Sequence, residues 1–240
     1  MASAPPPKGA RRIAPVRVYR QVADDLQSRI AAGEFPVGER LPTERELASA
    51  YGVSRTCVRE ALLAMEIAGL VAIRVGAGVF VLAPEVPAEP VPQVRADQHS
   101  PSEILEARLV IEPEIAALAA HRASDDELDA IGQAIALMRE EHRMAAETER
   151  GDREFHRTIA AAARNGLLQD MLNDIWTEMN APLWQALQAH IRSPLLRLKW
   201  IEDHEAIHAA LVARDRRRAR AAMKAHIVQV RGALEEAKFL

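Results

Sequence analysis

The sequence predicts a mainly α protein in two parts: an N-terminal winged helix-turn-helix with a small β-hairpin wing, then a C-terminal all-α antiparallel bundle. Three observations carry this expectation. Three amphipathic helical patterns and a glycine-centred hairpin signal fall within residues 16–82. A proline-rich stretch at 83–100, with Pro84, Pro87, Pro90 and Pro92, then reads as an extended linker. From 101 to 240 the periodicity is helical again, without a further strand signal.

In chain order, residues 1–15 are basic and proline-rich with no apolar core behind them, which reads as a disordered tail and not a signal peptide. Val18, Val22, Leu26 and Ile30 recur every four residues, and Gly33 stops that helix. Thr43 to Glu46 is a T-x-x-E capping box, so a second helix starts there and runs to about Tyr51. Gly52 supplies a turn, and Ser54 suits the N-cap of a third helix ending near Gly69. The β-branched runs around Gly76-Ala77-Gly78 then read as a hairpin. Beyond the linker, Ser124 to Glu127 is another capping box, while Asn165-Gly166, Ser193-Pro194 and Asp215 mark breaks. That spacing gives roughly six helices, the first bent by Pro113.

Charge sharpens the division of labour. The chain carries a net charge of −3, but residues 1–82 hold 11 Lys and Arg against 8 Asp and Glu, and the remainder holds 20 against 26. A basic front on an acidic rear suits a DNA-binding head on an effector body. The single cysteine, Cys57, excludes an internal disulfide framework and suits a reducing cytoplasm. It reads as a packing residue and not a reactive thiol. No apolar run approaches the length of a membrane span, so no membrane partner is expected.

The stretch LPTERELASAYGVSRTCVREAL, residues 41–62, is the most informative. Val58, Leu62 and Met65 share one face of the third helix and would pack on Leu47 and Tyr51 of the second. Arg55, Thr56 and Arg59 would then face outward, the two arginines one turn apart. Such a helix fits the DNA major groove, where arginine can grip guanine O6 and N7 and hydroxyls can hold phosphates. The competing reading of an exposed arginine pair is a solvated face. In the rear half, Asp152 and His156 stand at i and i+4, and His204 and His226 lie on two later helices, so a divalent metal could be gathered from three helices. Hydrogen-bonded histidines are the competing reading, and His208 competes with His204 as a ligand.

RLPTERELASAYGVSRTCVREALLAMEIAGLVAIRVGAGVFV resembles the winged-helix head of GntR-family transcription regulators. The resemblance implies DNA contacts from Arg45, Ser54, Arg55, Thr56, Arg59 and Gly76. ARLVIEPEIAALAA, the D-x-x-F-H run with Asn165, the H-x-x-I-x-x-A-L run and a last-helix histidine are similar to the FCD ligand-binding domain of the FadR subfamily, a bundle of six or seven helices. That resemblance implies a divalent metal, zinc first and nickel or manganese as alternatives, held by Asp152, His156, His204 and His226. It leaves out His208, which falls at a variable position. Four protein ligands leave positions open for a small carboxylate effector. Arg108 would pair that carboxylate, with a surface salt bridge to Glu112 as the rival role. Asn165 would touch the effector or serve only as a helix C-cap.

The segment APLWQALQAHIRSPLLRLKWIEDHEAIHAAL further resembles hexuronate-pathway regulators, implying a hexuronate, its keto acid or an aldarate as effector; other FCD relatives sense lactate, pyruvate, amino acids or sialic acid. The basic run Arg214 to Lys224 reads as a solvated face, and Trp176, Trp184 and Trp200 as core or pocket wall. The expectation is a cytoplasmic homodimer, a repressor relieved by its effector, with each head on half of a palindromic double-stranded operator. Two rivals remain at this point, a metal-dependent enzyme and a DNA-binding protein whose bundle only dimerises. No H-E-x-x-H arrangement or nucleophile motif accompanies the first.

Overall fold

The computed structural model describes residues 17–83, 98–146 and 148–236. The expected tail at 1–15 and most of the expected linker lie outside these residues. The head comprises α1 (Val18–Ala31), α2 (Glu44–Tyr51), α3 (Arg55–Ile67), β1 (Val71–Arg74) and β2 (Gly78–Val81). Its helices start where local chemistry dictates. Thr43 and Glu46 close a reciprocal capping box, and the Ser54 hydroxyl accepts the Cys57 N–H at 3.1 Å. Leu26, Leu47, Val58 and Leu62 are almost wholly buried between the helices. Each such side chain contributes about 1.5–3 kcal/mol of apolar burial.

β1 and β2 pair antiparallel with Val71 opposite Val81. Gly76 sits in the connecting turn with φ 76°, a left-handed backbone that a side chain would strain. The wing is therefore a tight loop whose tip is exposed.

The rear domain has seven helices among the described residues: α4 (Pro101–Arg122), α5 (Asp125–Arg143), α6 (Arg150–Ala162), α7 (Gly166–Glu178), α8 (Pro182–Ile191), α9 (Pro194–Val212) and α10 (Arg216–Glu236). Roughly six were expected; neither the break between α5 and α6 nor the start of α8 at Pro182 was among the breaks read from the sequence. Ser124 caps α5 as expected, and at the expected Ser193-Pro194 break Ser193 is the N-cap of α9. Pro113 does not end α4, which runs through it to Arg122. α4 packs on α10, α5 on α6, and α9 lies against both α10 and α5. The chamber described below sits inside this arrangement.

Head and body touch through α3. Glu66 is shared: its Oε1 accepts the Ile73 N–H of the wing at 2.8 Å, and its Oε2 accepts His190 Nε2–H from α8 at 2.6 Å. Glu60 accepts the Ser102 N–H of α4 at 2.9 Å, and Tyr19 donates to the Gln98 carbonyl at 3.2 Å.

Candidate metal centre and nucleic-acid interface

The first turn of α3 projects beyond α2, leaving Ser54 and Arg55 exposed and Thr56 half-buried. Arg45 on α2 and Gly76 at the wing tip are exposed too. Arg59 departs from expectation. It is 6% exposed and grips Glu44 through two parallel hydrogen bonds at 3.0 and 2.8 Å, while also donating to the Leu234 carbonyl of α10. Arg55 and Arg59 do share a face of α3, but the N-terminus of α2 covers the second turn of that face. A carboxylate as buried as Glu44 requires a charged partner, and Arg59 is that partner. It braces the helix-turn-helix instead of facing outward.

Cys57 is half-buried at the start of α3, and burial, aided by Glu60, pushes its thiol up to about 11. Such a thiol packs and does not react.

The metal constellation is assembled from three helices. Gly151 allows α6 to lie hard against α5, since a Cβ there would stand 2.6 Å from the Met138 nitrogen and 2.8 Å from the Ala134 oxygen. That close approach positions the next residue, Asp152, and His156 one turn later. α9 brings His204 and α10 brings His226. One donor atom from each of Asp152, His156, His204 and His226 lies within 4.8 Å of the others. Asp152 Oδ1 is 2.9 Å from His204 Nε2 and 3.5 Å from His156 Nε2, and these two nitrogens are 3.3 Å apart.

The outer nitrogens decide which lone pairs point inward. His204 Nδ1 donates to the Trp200 carbonyl at 2.6 Å, so the proton sits there and Nε2 presents its lone pair to the centre. His156 Nδ1 lies against the Glu112 carboxylate, and His226 Nδ1 is 3.5 Å from Asp203 Oδ2. Two converging imidazole lone pairs and a carboxylate oxygen repel one another unless a cation lies between them. This outer ring of carboxylates and a carbonyl is the arrangement that orients histidines on a metal. The donor set therefore fits a divalent ion. Phe155, fully buried, stacks edge-on against His204 with centroids 4.7 Å apart and fixes that ring.

Electrostatics agree. Burial alone would raise the Asp152 carboxyl, yet the His156 and His204 rings hold it well below the ordinary range. Burial works against a charged His156 ring, but Glu112 and Asp152 outweigh it and raise its pKa. Burial, reinforced by the neighbouring His204 and His156, drives His226 well below its ordinary value, so it stays a neutral ligand. Glu112 stays ionised: burial opposes this, but Arg108 and His156 lower it to about 2.

Arg108 is not on the surface. It is 2% exposed, donates to Glu112 at 2.5 Å and to His156 Nε2 at 3.3 Å, and lies 5.2 Å from the Trp176 ring. The ion pair with Glu112 and a place at the chamber wall are both real, so the two roles weighed for it are compatible. Asn165 is corrected. It is an exposed N-cap of α7, accepting the Leu168 N–H at 3.3 Å, and is neither a C-cap nor near the chamber. His208 donates to the Leu128 carbonyl at 2.9 Å and stands outside the cluster.

Beside the metal ligands lies a cavity of about 60 Å³, bounded by Arg108, Glu149, Trp184, Gln188 and Trp200 among others. An adjoining outer recess of about 540 Å³ shares Glu149, Met179, Trp184 and Gln188 with it. Glu149, the N-cap of α6, is half-buried. Burial and the nearby Asp152 push its carboxyl up to about 7. Spacing reasoning missed Glu112, Glu149, Gln188 and Asp203. The one available signal was Glu112 at i+4 from Arg108, weighed only as a surface pair.

The family pattern described as bacterial regulatory proteins, gntR family, matches residues 18–81, and the FCD domain pattern matches 103–229. The Uxu operon transcriptional regulator of Escherichia coli is 38% identical over 228 residues, which cover 92% of this chain and 88% of that protein. The Exu regulon transcriptional regulator of Escherichia coli is 35% identical over 220 residues, covering 89% and 83%. The solved structure of E. coli McbR/YncC, 24% identical with a TM-score of 0.51 over 92% of this chain and 98% of its own, agrees in fold. Relatives that are transcriptional regulators, on a chain with this head, remove the enzyme reading. The chain belongs to the GntR family of bacterial transcription regulators, in the FadR subfamily with an FCD domain, and is a metabolite-responsive DNA-binding regulator.

Proposed function

We propose that this regulator is a cytoplasmic homodimer that represses a sugar-acid operon and is released by a hexuronate, its keto acid or an aldarate bound at a metal centre. The observation that carries the reading is the convergence of Asp152, His156, His204 and His226 beside a cavity that Arg108 also lines. A carboxylate entering that cavity meets a cation and a guanidinium together, the pairing that suits an anionic head group. The ion would supply Lewis-acid affinity for the carboxylate, with zinc favoured by a donor set of three imidazoles and one carboxylate, and nickel or manganese as alternatives. The choice of sugar acid follows the two E. coli relatives, whose names place them at the Uxu operon and the Exu regulon.

On the DNA side, Arg55 reads a base in the major groove, Arg45, Ser54 and Thr56 hold phosphates or base edges, and Gly76 lets the wing backbone approach the duplex. Two heads related by two-fold symmetry read a palindrome. Effector binding favours a head arrangement that fits the operator less well, which requires different effector affinity in the two arrangements.

A thermal-shift scan of metal-loaded protein against uronates, their keto acids, aldarates, lactate and amino acids, repeated with chelator, tests the reading. A ligand at about 100 times its Kd adds roughly 2.7 kcal/mol, which is several degrees in midpoint. A chelator-sensitive shift with a uronate or aldarate, matched by release of operator DNA, is the expected result. A shift with lactate alone keeps the sensor and removes the sugar acid. No shift in protein shown to hold metal makes the ion structural and the rear domain only a dimeriser.

A further inference from the structure

We propose that Glu149 and Gln188 form a hydroxyl-reading subsite at the mouth of the metal chamber, making the sensor select long polyhydroxylated acids over short carboxylates. This inference rests on the sugar-acid reading above and assigns the residues that give it its selectivity.

Few polar groups around the chamber retain unused bonding capacity. Glu141 is committed, accepting from the Thr148 hydroxyl at 2.8 Å and from the Arg150 and Gly151 N–H groups at 2.9 and 3.0 Å. Arg197 is committed to the carbonyls of Ala146 and Thr148, at 2.7 and 3.1 Å. Arg108 uses two of its five donors on Glu112 and His156, and the carboxylate of the ligand takes what remains. Glu149 and Gln188 differ. Gln188 Nε2 donates to Glu149 Oε2 at 2.6 Å, while Glu149 Oε1 lies only loosely, at 3.6 Å, from Arg192. A carboxylate offers about four lone-pair directions and an amide about four bonding positions, so this pair retains both acceptors and donors.

Place supports the same assignment. Both residues line the cavity beside the metal donors and also the adjoining recess, so a ligand that spans the two lies against them. Glu149 caps the N-terminus of α6, three residues before Asp152, and both side chains line the cavity. A six-carbon acid with its carboxylate at the ion presents its middle hydroxyls toward Glu149, whereas a three-carbon acid ends short of it. The surroundings also contain donors in need of partners. The Trp200 indole N–H at the inner cavity and the Trp176 indole N–H at the outer recess are both buried without a hydrogen bond. An unpaired buried donor is costly, and a ligand rich in oxygen satisfies it where an apolar one does not.

The test uses full-length metal-loaded protein and isothermal titration with D-glucuronate, D-galacturonate and L-lactate, on wild type, Gln188→Met and Glu149→Leu, with metal content measured in each. The expected result is a preference of wild type for the uronates, lost at least about tenfold in either variant, with lactate affinity and metal content unchanged. Gln188→Met keeps the side-chain volume, so it decides the matter if Glu149→Leu fails to fold. Uronate affinity unchanged in both variants would overturn the subsite and leave the sugar-acid reading standing. An equal loss for lactate and uronates would overturn it too, because the pair would then merely hold the chamber together. Wild type that binds lactate and neither uronate would overturn the sugar-acid reading and, with it, this subsite.

Discussion

Arg55 in the head and His156 in the body are both polar side chains on short helices, and they stand in opposite relations to the fold. Arg55 is exposed at the first turn of α3, and no part of the core depends on it. His156 is 1% exposed, lies against Glu112 and faces Asp152 and His204, so its removal disturbs several buried polar groups at once. A surface that reads DNA can be built from side chains added to a finished scaffold. A chamber that binds an ion and an anion must be built from groups that the scaffold itself must satisfy. Function and stability are therefore separable in the head and coupled in the body.

Arg59 is where this contrast breaks most sharply, because it is a head residue with the character of the chamber. Arg59→Ala leaves Glu44 buried and unpaired, which costs about 3–5 kcal/mol. Urea denaturation with a probe in the head should show that loss, and Arg59→Lys should recover only part of it because a lysine cannot make the paired hydrogen bonds to Glu44. An Arg59→Ala protein of normal stability that fails only on operator DNA would move this residue back among the DNA contacts.

Removing the metal should have the next largest effect, about 2.7 kcal/mol for an ion present at roughly 100 times its Kd. Chelator should lower the melting midpoint of wild type by several degrees and leave Asp152→Ala or His204→Ala unmoved. Acid should act in the same direction. His156 has a raised pKa, so protons compete with the ion at a higher pH than for an ordinary histidine, and metal affinity falls as pH drops through that range. Titration of the ion at several pH values measures this.

Glu149 gives a smaller, pH-dependent effect. Its carboxyl is raised to about 7, so its neutral form is favoured on folding. That contribution is complete below the unfolded-state value and is lost as pH rises through about 7. In metal-free protein, Glu149→Gln should therefore gain about 2 kcal/mol on wild type between about pH 5 and about pH 8. A gap that stays constant across that range would mean the carboxylate is better solvated than its burial implies.

The smallest change in stability belongs to Arg55→Ala, within about 0.5 kcal/mol, alongside a loss of about 1–3 kcal/mol in operator affinity per half-site. Fluorescence anisotropy on specific and scrambled duplexes separates a base contact from a phosphate contact.

The same contrast explains what could be read from the sequence. Thr43, Ser54 and Ser124 act within four residues of themselves, so their capping roles were legible and are observed. The hairpin likewise needs only its own glycines and β-branched runs. Of the metal donors, spacing alone ties Asp152 to His156. His204 and His226 reach them through the packing of α9 and α10, which no local pattern encodes, and family resemblance singled them out. Arg59 was misread because a helical wheel shows which side of α3 it occupies and not that α2 lies over it. Asn165 was misplaced because an Asn-Gly pair marks the start of one helix as readily as the end of another.

Gln188 and His190 stand two residues apart on α8, hence on opposite sides of a helix only about 10 Å across. One borders the ligand chamber, and the other pairs with Glu66, the carboxylate that also anchors the wing at Ile73. Under the proposed function, anyone retuning this protein as a biosensor would meet a trade-off on that helix, since substitutions chosen to change ligand fit fall on the helix that also contacts the head. Glu149 is tied to the same helix through Gln188 and Arg192, so changes on the α6 side of the chamber reach it as well.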